Sequence, residues 1–331
     1  MNTLSRIALM VLLTASTTVA QGQSSEKQDN PFAGEKIVGK KEVTAAIAIT
    51  KIPKDLAVFE ESGFSKYVSV FGIHMFATPT ARDEKILHTA KVMAEYMDND
   101  SDGVPDNMLV LSHLISRKAF LIFPRTPDET ESMDRDAWHE AGFRAGQSQW
   151  DEETHPGFIV DGVLHPEVGH DASIEEVFHL LCSAGWSSAY PEIFGFVPGT
   201  AIAKCMDTAR AGYYQEPPTG GPRAGYPAEA WYSYDDTTCN YACMVIEYMY
   251  WGMSSILGAQ DYPERARGIS PEWLPYNKEL MAEMETCLYG LLMDPKYMLP
   301  KKAPEGRYAP SASPTITVPI IEVKENEVEP S

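Results

Sequence analysis

The sequence predicts an α+β protein, in which a small sheet with helices is followed by a helical second half. Three observations carry this reading. Residues 67–76 (Tyr-Val-Ser-Val-Phe-Gly-Ile-His-Met-Phe) are rich in β-branched and aromatic side chains and stop before Pro79. Residues 83–97 place Ile86, Leu87, Ala90, Met93, Ala94 and Met97 at the spacing of an amphipathic helix. Further on, apolar runs at 173–184, 199–211, 241–257 and 278–292 read as helices, with little strand signal between them. Two short buried strands complete the mixed first half, at 119–123 before Pro124 and at 158–160.

The flanks differ in composition. Arg6, the apolar run 7–13 and the small residues Thr18, Val19 and Ala20 predict a secretory signal over 1–20, too short to span a bilayer. Residues 21–40 are polar and predict a flexible leader. Residues 41–300 form a single globular α+β domain, and 301–331 predict a disordered acidic tail rich in Pro, Ser and Thr. No later stretch has 18 apolar residues free of charge, so the expected product is secreted and extracellular.

Of the 331 residues 44% are hydrophobic, enough for a buried core. The 47 acidic residues outnumber 27 basic ones and give a net charge of −20. With no Lys/Arg cluster, neither nucleic acid nor anionic membrane is an expected partner. An acidic surface suits a calcium-containing extracellular fluid, or a mineral or matrix partner. The five cysteines (Cys182, Cys205, Cys239, Cys243 and Cys287) predict at most two structural disulfides and one leftover thiol.

Directly after the 83–97 helix comes Asp98-Asn99-Asp100-Ser101-Asp102-Gly103-Val104-Pro105-Asp106. Carboxylates at loop positions 1, 3, 5 and 9, a backbone carbonyl from Val104 at position 7 and Gly103 at position 6 match the start of an EF-hand calcium loop. Leu109 stands where the closing Glu would be. The loop resembles the DxDxDG loops of extracellular calcium modules such as thrombospondin type 3 repeats, which implies a structural calcium ion held by Asp98, Asp100, Asp102, Val104 and Asp106.

The segment richest in chemistry runs from His165 to Leu181. Ser173 and Glu176 have capping-box spacing, so a helix is expected to begin near Ile174. Four residues apart, Glu175 and His179 share a face, with Glu176 one residue round. The run Ile174-Glu175-Glu176-Val177-Phe178-His179-Leu180-Leu181 resembles the active helix of the zincin metallopeptidases, whose pattern is HExxH between hydrophobic residues. By that resemblance Glu176 takes the general-base position and His179 a zinc-ligand position, while Glu175 replaces the first His as ligand. A carboxylate binds zinc at about 2.0–2.2 Å, so the replacement is chemically sound. The third ligand implied is Glu247, the one carboxylate in the apolar run 244–251. Tyr234, or Tyr232, is in the place of an oxyanion-stabilising hydroxyl. Ligand sets drawn from His170, Asp171 and His179, or from paired Glu-x-x-His motifs, remain open at this level. There is no G-x-S-x-G, Walker A or GxGxxG motif.

The function expected is therefore a secreted metal-dependent hydrolase, peptidase-like. Zinc-activated water and a Glu general base would act on a peptide or small-molecule substrate. The alternative is a non-catalytic acidic calcium-binding or matrix (biomineral) protein.

Overall fold

The computed structural model describes residues 30–130, 133 and 135–323. The signal segment 1–20 and the first part of the leader lie outside them. Strand β1 (Ile37–Val43) leads into helix α1 (Ala57–Glu61), then β2 (Lys66–Val70) and β3 (Ile73–Ala77). The single β-rich run of the sequence is thus a hairpin. Its turn is Phe71-Gly72, where φ is +48° and +88°, the left-handed pair that matches the twist of tightly linked strands. Helices α2 (Asp83–Met97) and α3 (Met108–Ser116) follow, then β4 (Phe120–Phe123), α4 (Arg135–Glu140), β5 (Gly146–Ser148) and the β6/β7 hairpin (Ile159–Val160, Val163–Leu164).

The second half is helical, as expected: α5 (Ser173–Leu181), α6 (Ser187–Ala189), α7 (Pro191–Phe194), α8 (Ala201–Ala209), α9 (Tyr241–Ile256), α10 (Pro263–Ile269), α11 (Lys278–Met284) and α12 (Thr286–Leu292). Two boundaries differ from the sequence reading. Helix α5 continues into a π-helical turn, Cys182–Trp186, so Gly185 does not end it. The run 278–292 breaks at Glu285, whose carboxylate accepts from Leu288 N–H (3.2 Å) and starts α12.

The main sheet has the order β2-β3-β4-β5, with β2/β3 antiparallel and β3/β4 and β4/β5 parallel. Side-chain alternation divides its two faces. Val68, Val70, Met75, Leu121 and Phe123 join the main core with α2, α3 and α5. Tyr67, Phe76, Phe120 and Ile122 enter a second, aromatic core with Phe59, Trp138 and Phe143. Both faces are covered, so these strands read as apolar runs.

The disordered tail expected at 301–331 is corrected for its described part. Ile316–Ile321 forms β8, antiparallel to β1, which itself takes up part of the expected flexible leader. Thr317, Val318 and Ile320 suit a pleated strand. Pro319 is tolerated because this sheet has only two strands. The two disulfides are Cys205–Cys287, which ties α8 to α12, and Cys239–Cys243, at the start of α9. Cys182 is free and buried. No helix among the described residues is long and apolar enough to cross a membrane.

Candidate functional site

Asp171 fixes where α5 begins. It is almost fully buried, pairs with His88 Nε2 of α2 at 2.6 Å, and accepts from Ser173 Oγ (2.5 Å) and His155 N–H (3.1 Å). The expected capping box is therefore replaced, because Ser173 turns back to Asp171. Asp171 is thereby engaged with His88, Ser173 and His155, and neither it nor His170 belongs to the ligand group of His179. Freed from capping, Glu176 reaches β5, where the Gln147 side-chain amide donates to its Oε2. Tyr96 of α2 donates to the Ile174 carbonyl at 2.9 Å and fixes the rotation of α5.

That rotation brings together the residues singled out in the sequence. One ligand atom each from Glu175, Glu176 and His179 lies within 4.8 Å of the others. Helix α9 packs against α5 and adds Glu247, whose Oε2 is 3.5 Å from His179 Nε2. The Glu176 carboxylate lies 3.7 Å from His179 Nδ1. His179 is buried, and its Nε2 makes no hydrogen bond. A charge-assisted N–H···O bond would close to about 2.7–2.9 Å. Two ligands on one tetrahedral ion with bonds of about 2.0–2.2 Å stand about 3.3–3.5 Å apart. The His179 Nε2–Glu247 Oε2 separation is long for a direct charge-assisted bond and is one that two ligands of a single zinc ion would also have.

Burial opposes charge on His179, but the Glu247 and Glu176 carboxylates outweigh it and hold the imidazole well above its usual range. Glu175 is pushed up to about 7 by burial, with His179 lowering and the Glu247 and Glu176 charges raising it. The His179 imidazolium is the cation that these carboxylates face.

Tyr234 stands beside Glu272 in a neighbouring recess. Burial, then the charges of Glu247, Glu272 and Glu175, push its phenol up, so it remains a hydroxyl donor. Tyr232 does not share that place: it is fully buried and donates to the Met244 carbonyl at 2.9 Å.

The sequence reading missed three neighbours. Glu272 accepts from Trp251 Nε1 (2.6 Å) and is pushed up to about 8 by burial, with Glu247 and Glu175 adding to the effect. A recess of about 150 Å³ lined by Ser233, Tyr234, Asp235 and Glu272 opens there. Tyr250 packs edge-on to His179, with ring centroids 5.4 Å apart. It is three residues after Glu247, so helical spacing alone could have placed it on the same face. Gln147, on a separate strand, carries no such signal. Free Cys182 is adjacent in the chain, and burial pushes its thiol up to about 12, so it stays protonated.

The aspartate loop also converges. Asp98, Asp100 and Asp102 each bring an oxygen within 4.8 Å of the others. Asp106 does not join them, because its Oδ2 accepts from Asn99 N (2.8 Å) and Asn99 Nδ2 (2.6 Å). Val104 donates its N–H to Asp102 Oδ1 at 2.7 Å. The C-terminal segment lies across this loop, with Tyr308 Oη donating to Asp98 Oδ2 (2.6 Å) and Ser311 N–H to the Ser101 carbonyl (2.8 Å). At Gly103, where φ is +92°, a Cβ would stand 2.2 Å from the Ala312 carbonyl oxygen.

No family model matches this chain, and neither does a curated protein or a solved structure.

Proposed function

We propose that the protein is a zinc-dependent hydrolase acting on peptides, with Glu175, His179 and Glu247 as metal ligands. One observation carries the proposal: the buried, unbonded Nε2 of His179 faces the Glu247 carboxylate at 3.5 Å, beside Glu175 and Glu176. A zinc ion supplies Lewis acidity, polarising a carbonyl and acidifying water. Everything else falls to the chain. Glu176, held through Oε2 by Gln147, would take a proton from water and pass it to the leaving amine. Tyr234, kept protonated, donates to the oxygen on which negative charge develops. The two disulfides fit an oxidising, extracellular setting, and a secreted product is part of this reading.

A structural calcium ion at Asp98, Asp100 and Asp102 belongs to the same proposal. It would neutralise the converging carboxylates beneath the C-terminal segment that leads to β8.

The test is peptide hydrolysis by zinc-loaded protein. Glu176→Gln should lose turnover by about 10²-fold or more while retaining zinc. Wild-type turnover that survives complete zinc removal contradicts the proposal.

A further inference from the structure

Strand β5 has two faces and an open edge, and the site above uses only one face. Gln147 points to α5. Gly146 and Ser148 alternate to the other side, and the aromatic core ends in a cavity of about 250 Å³ that Gly146, Gln147 and Ser148 all border. Phe120, Trp138 and Phe143 form its apolar base, and Arg135, His139 and Arg144 bring positive or basic groups to it.

Such a recess is unexpected in a chain with a net charge of −20. Neither Arg135 nor Arg144 pairs with a carboxylate among the described residues. Arg144 Nη1 donates instead to the His139 carbonyl at 2.5 Å. Gly146 keeps the recess open, since a Cβ there would stand 2.5 Å from the Phe120 ring.

The edge itself is unpaired. Phe120 N–H bonds to the Ala145 carbonyl and Gln149 N–H to the Ile122 carbonyl, so alternate β5 residues turn toward β4. The backbone groups of Gly146 and Ser148 turn outward and meet no partner among the described residues.

We propose that this edge takes an extended peptide and that the recess selects an aspartate or glutamate side chain from it. The proposal rests on the reading of the site as a peptide hydrolase and names its substrate class. Side chains of an added strand alternate between faces. A peptide whose backbone passes the Glu176 side of β5 therefore sends a neighbouring side chain to Arg135 and Arg144. Guanidinium groups favour a carboxylate in bidentate geometry, and they repel a lysine at the same position.

The experiment uses the zinc-loaded full chain carrying Glu176→Gln and fluorescein-labelled octapeptides of alternating Ala and Thr, amidated at the C-terminus. One residue at each position in turn is Glu, Gln or Lys, and binding is read by anisotropy. At one or two adjacent positions Glu should bind about tenfold tighter than Gln, with Lys weakest. Adding Arg135→Glu and Arg144→Glu should remove that preference, and Arg144→Lys should keep part of it. Equal binding of Glu and Gln peptides at every position, or no binding of any, overturns the proposal. Cleavage of neutral peptides by the wild type would still uphold the hydrolase. Glu-selective binding without wild-type cleavage would uphold the recess and refute the hydrolase.

Discussion

Zinc entering this site must displace protons, and the structure sets how many. His179 is held charged by Glu247 and Glu176, so near neutral pH it gives up about one proton when Nε2 becomes a ligand. Glu175, pushed up to about 7, is about half protonated at pH 7 and adds about half a proton. Zinc binding at pH 7 should therefore release more than one proton, and the apparent association constant should rise steeply between pH 6 and pH 8. The sign follows because protons and metal compete for the same atoms, so acid weakens binding. Calorimetry with a competing chelator, in buffers of different ionisation enthalpy, measures the count directly. Glu175→Gln should lower it to about one. A count near zero at pH 7, or one unchanged by Glu175→Gln, would refute the assignment of these ligands.

Four further predictions follow from the same structure. The folded-state values of Glu175 (about 7) and Glu272 (about 8) lie above the unfolded value, so their favourable contribution is present in acid and is lost as pH rises through 7–8. Metal-free protein should melt at a higher temperature at pH 5.5 than at pH 8.5, a difference that Glu175→Gln with Glu272→Gln should reduce and that the raised His179 should partly preserve. Cys205–Cys287 spans 82 residues and Cys239–Cys243 only 4, so replacing the first pair by Ser should cost about 4–5 kcal/mol and the second about 2 in denaturant unfolding. Calcium should raise the melting temperature of the wild type but not of Asp100→Asn/Asp102→Asn. Gly103→Ala, strained at φ +92° and crowded by Ala312, should destabilise by about 1–3 kcal/mol.

Local pattern carried much of this molecule. The mixed first half and helical second half followed from periodicity. Glu175 and His179 share a helical face because four residues make about one turn. Glu247 stood out because a lone carboxylate in an apolar run needs a counter-charge, and His179 faces it at 3.5 Å. What escaped the sequence was non-local. Ser173 has the spacing of a capping residue, yet Asp171, anchored by His88 from α2, takes its hydroxyl. Asp106 has a calcium-loop position but is engaged by Asn99. Strand β8 lies among Pro, Ser and Thr, and its pairing with β1, nearly 280 residues away, leaves no local trace. Glu272 reaches the site only because the chain after α10 folds back, with Ser233 N–H bonding to its carbonyl at 2.8 Å.

The central claim is the zinc site, and metal content tests it most directly. The full chain would be equilibrated with equimolar zinc and calcium, dialysed without chelator, and analysed for both metals beside a His179→Ala/Glu247→Gln variant. The account predicts about one zinc per wild-type chain, none in the variant, and the same calcium in both. Zinc absent from the wild type, or retained undiminished by the variant, would contradict it.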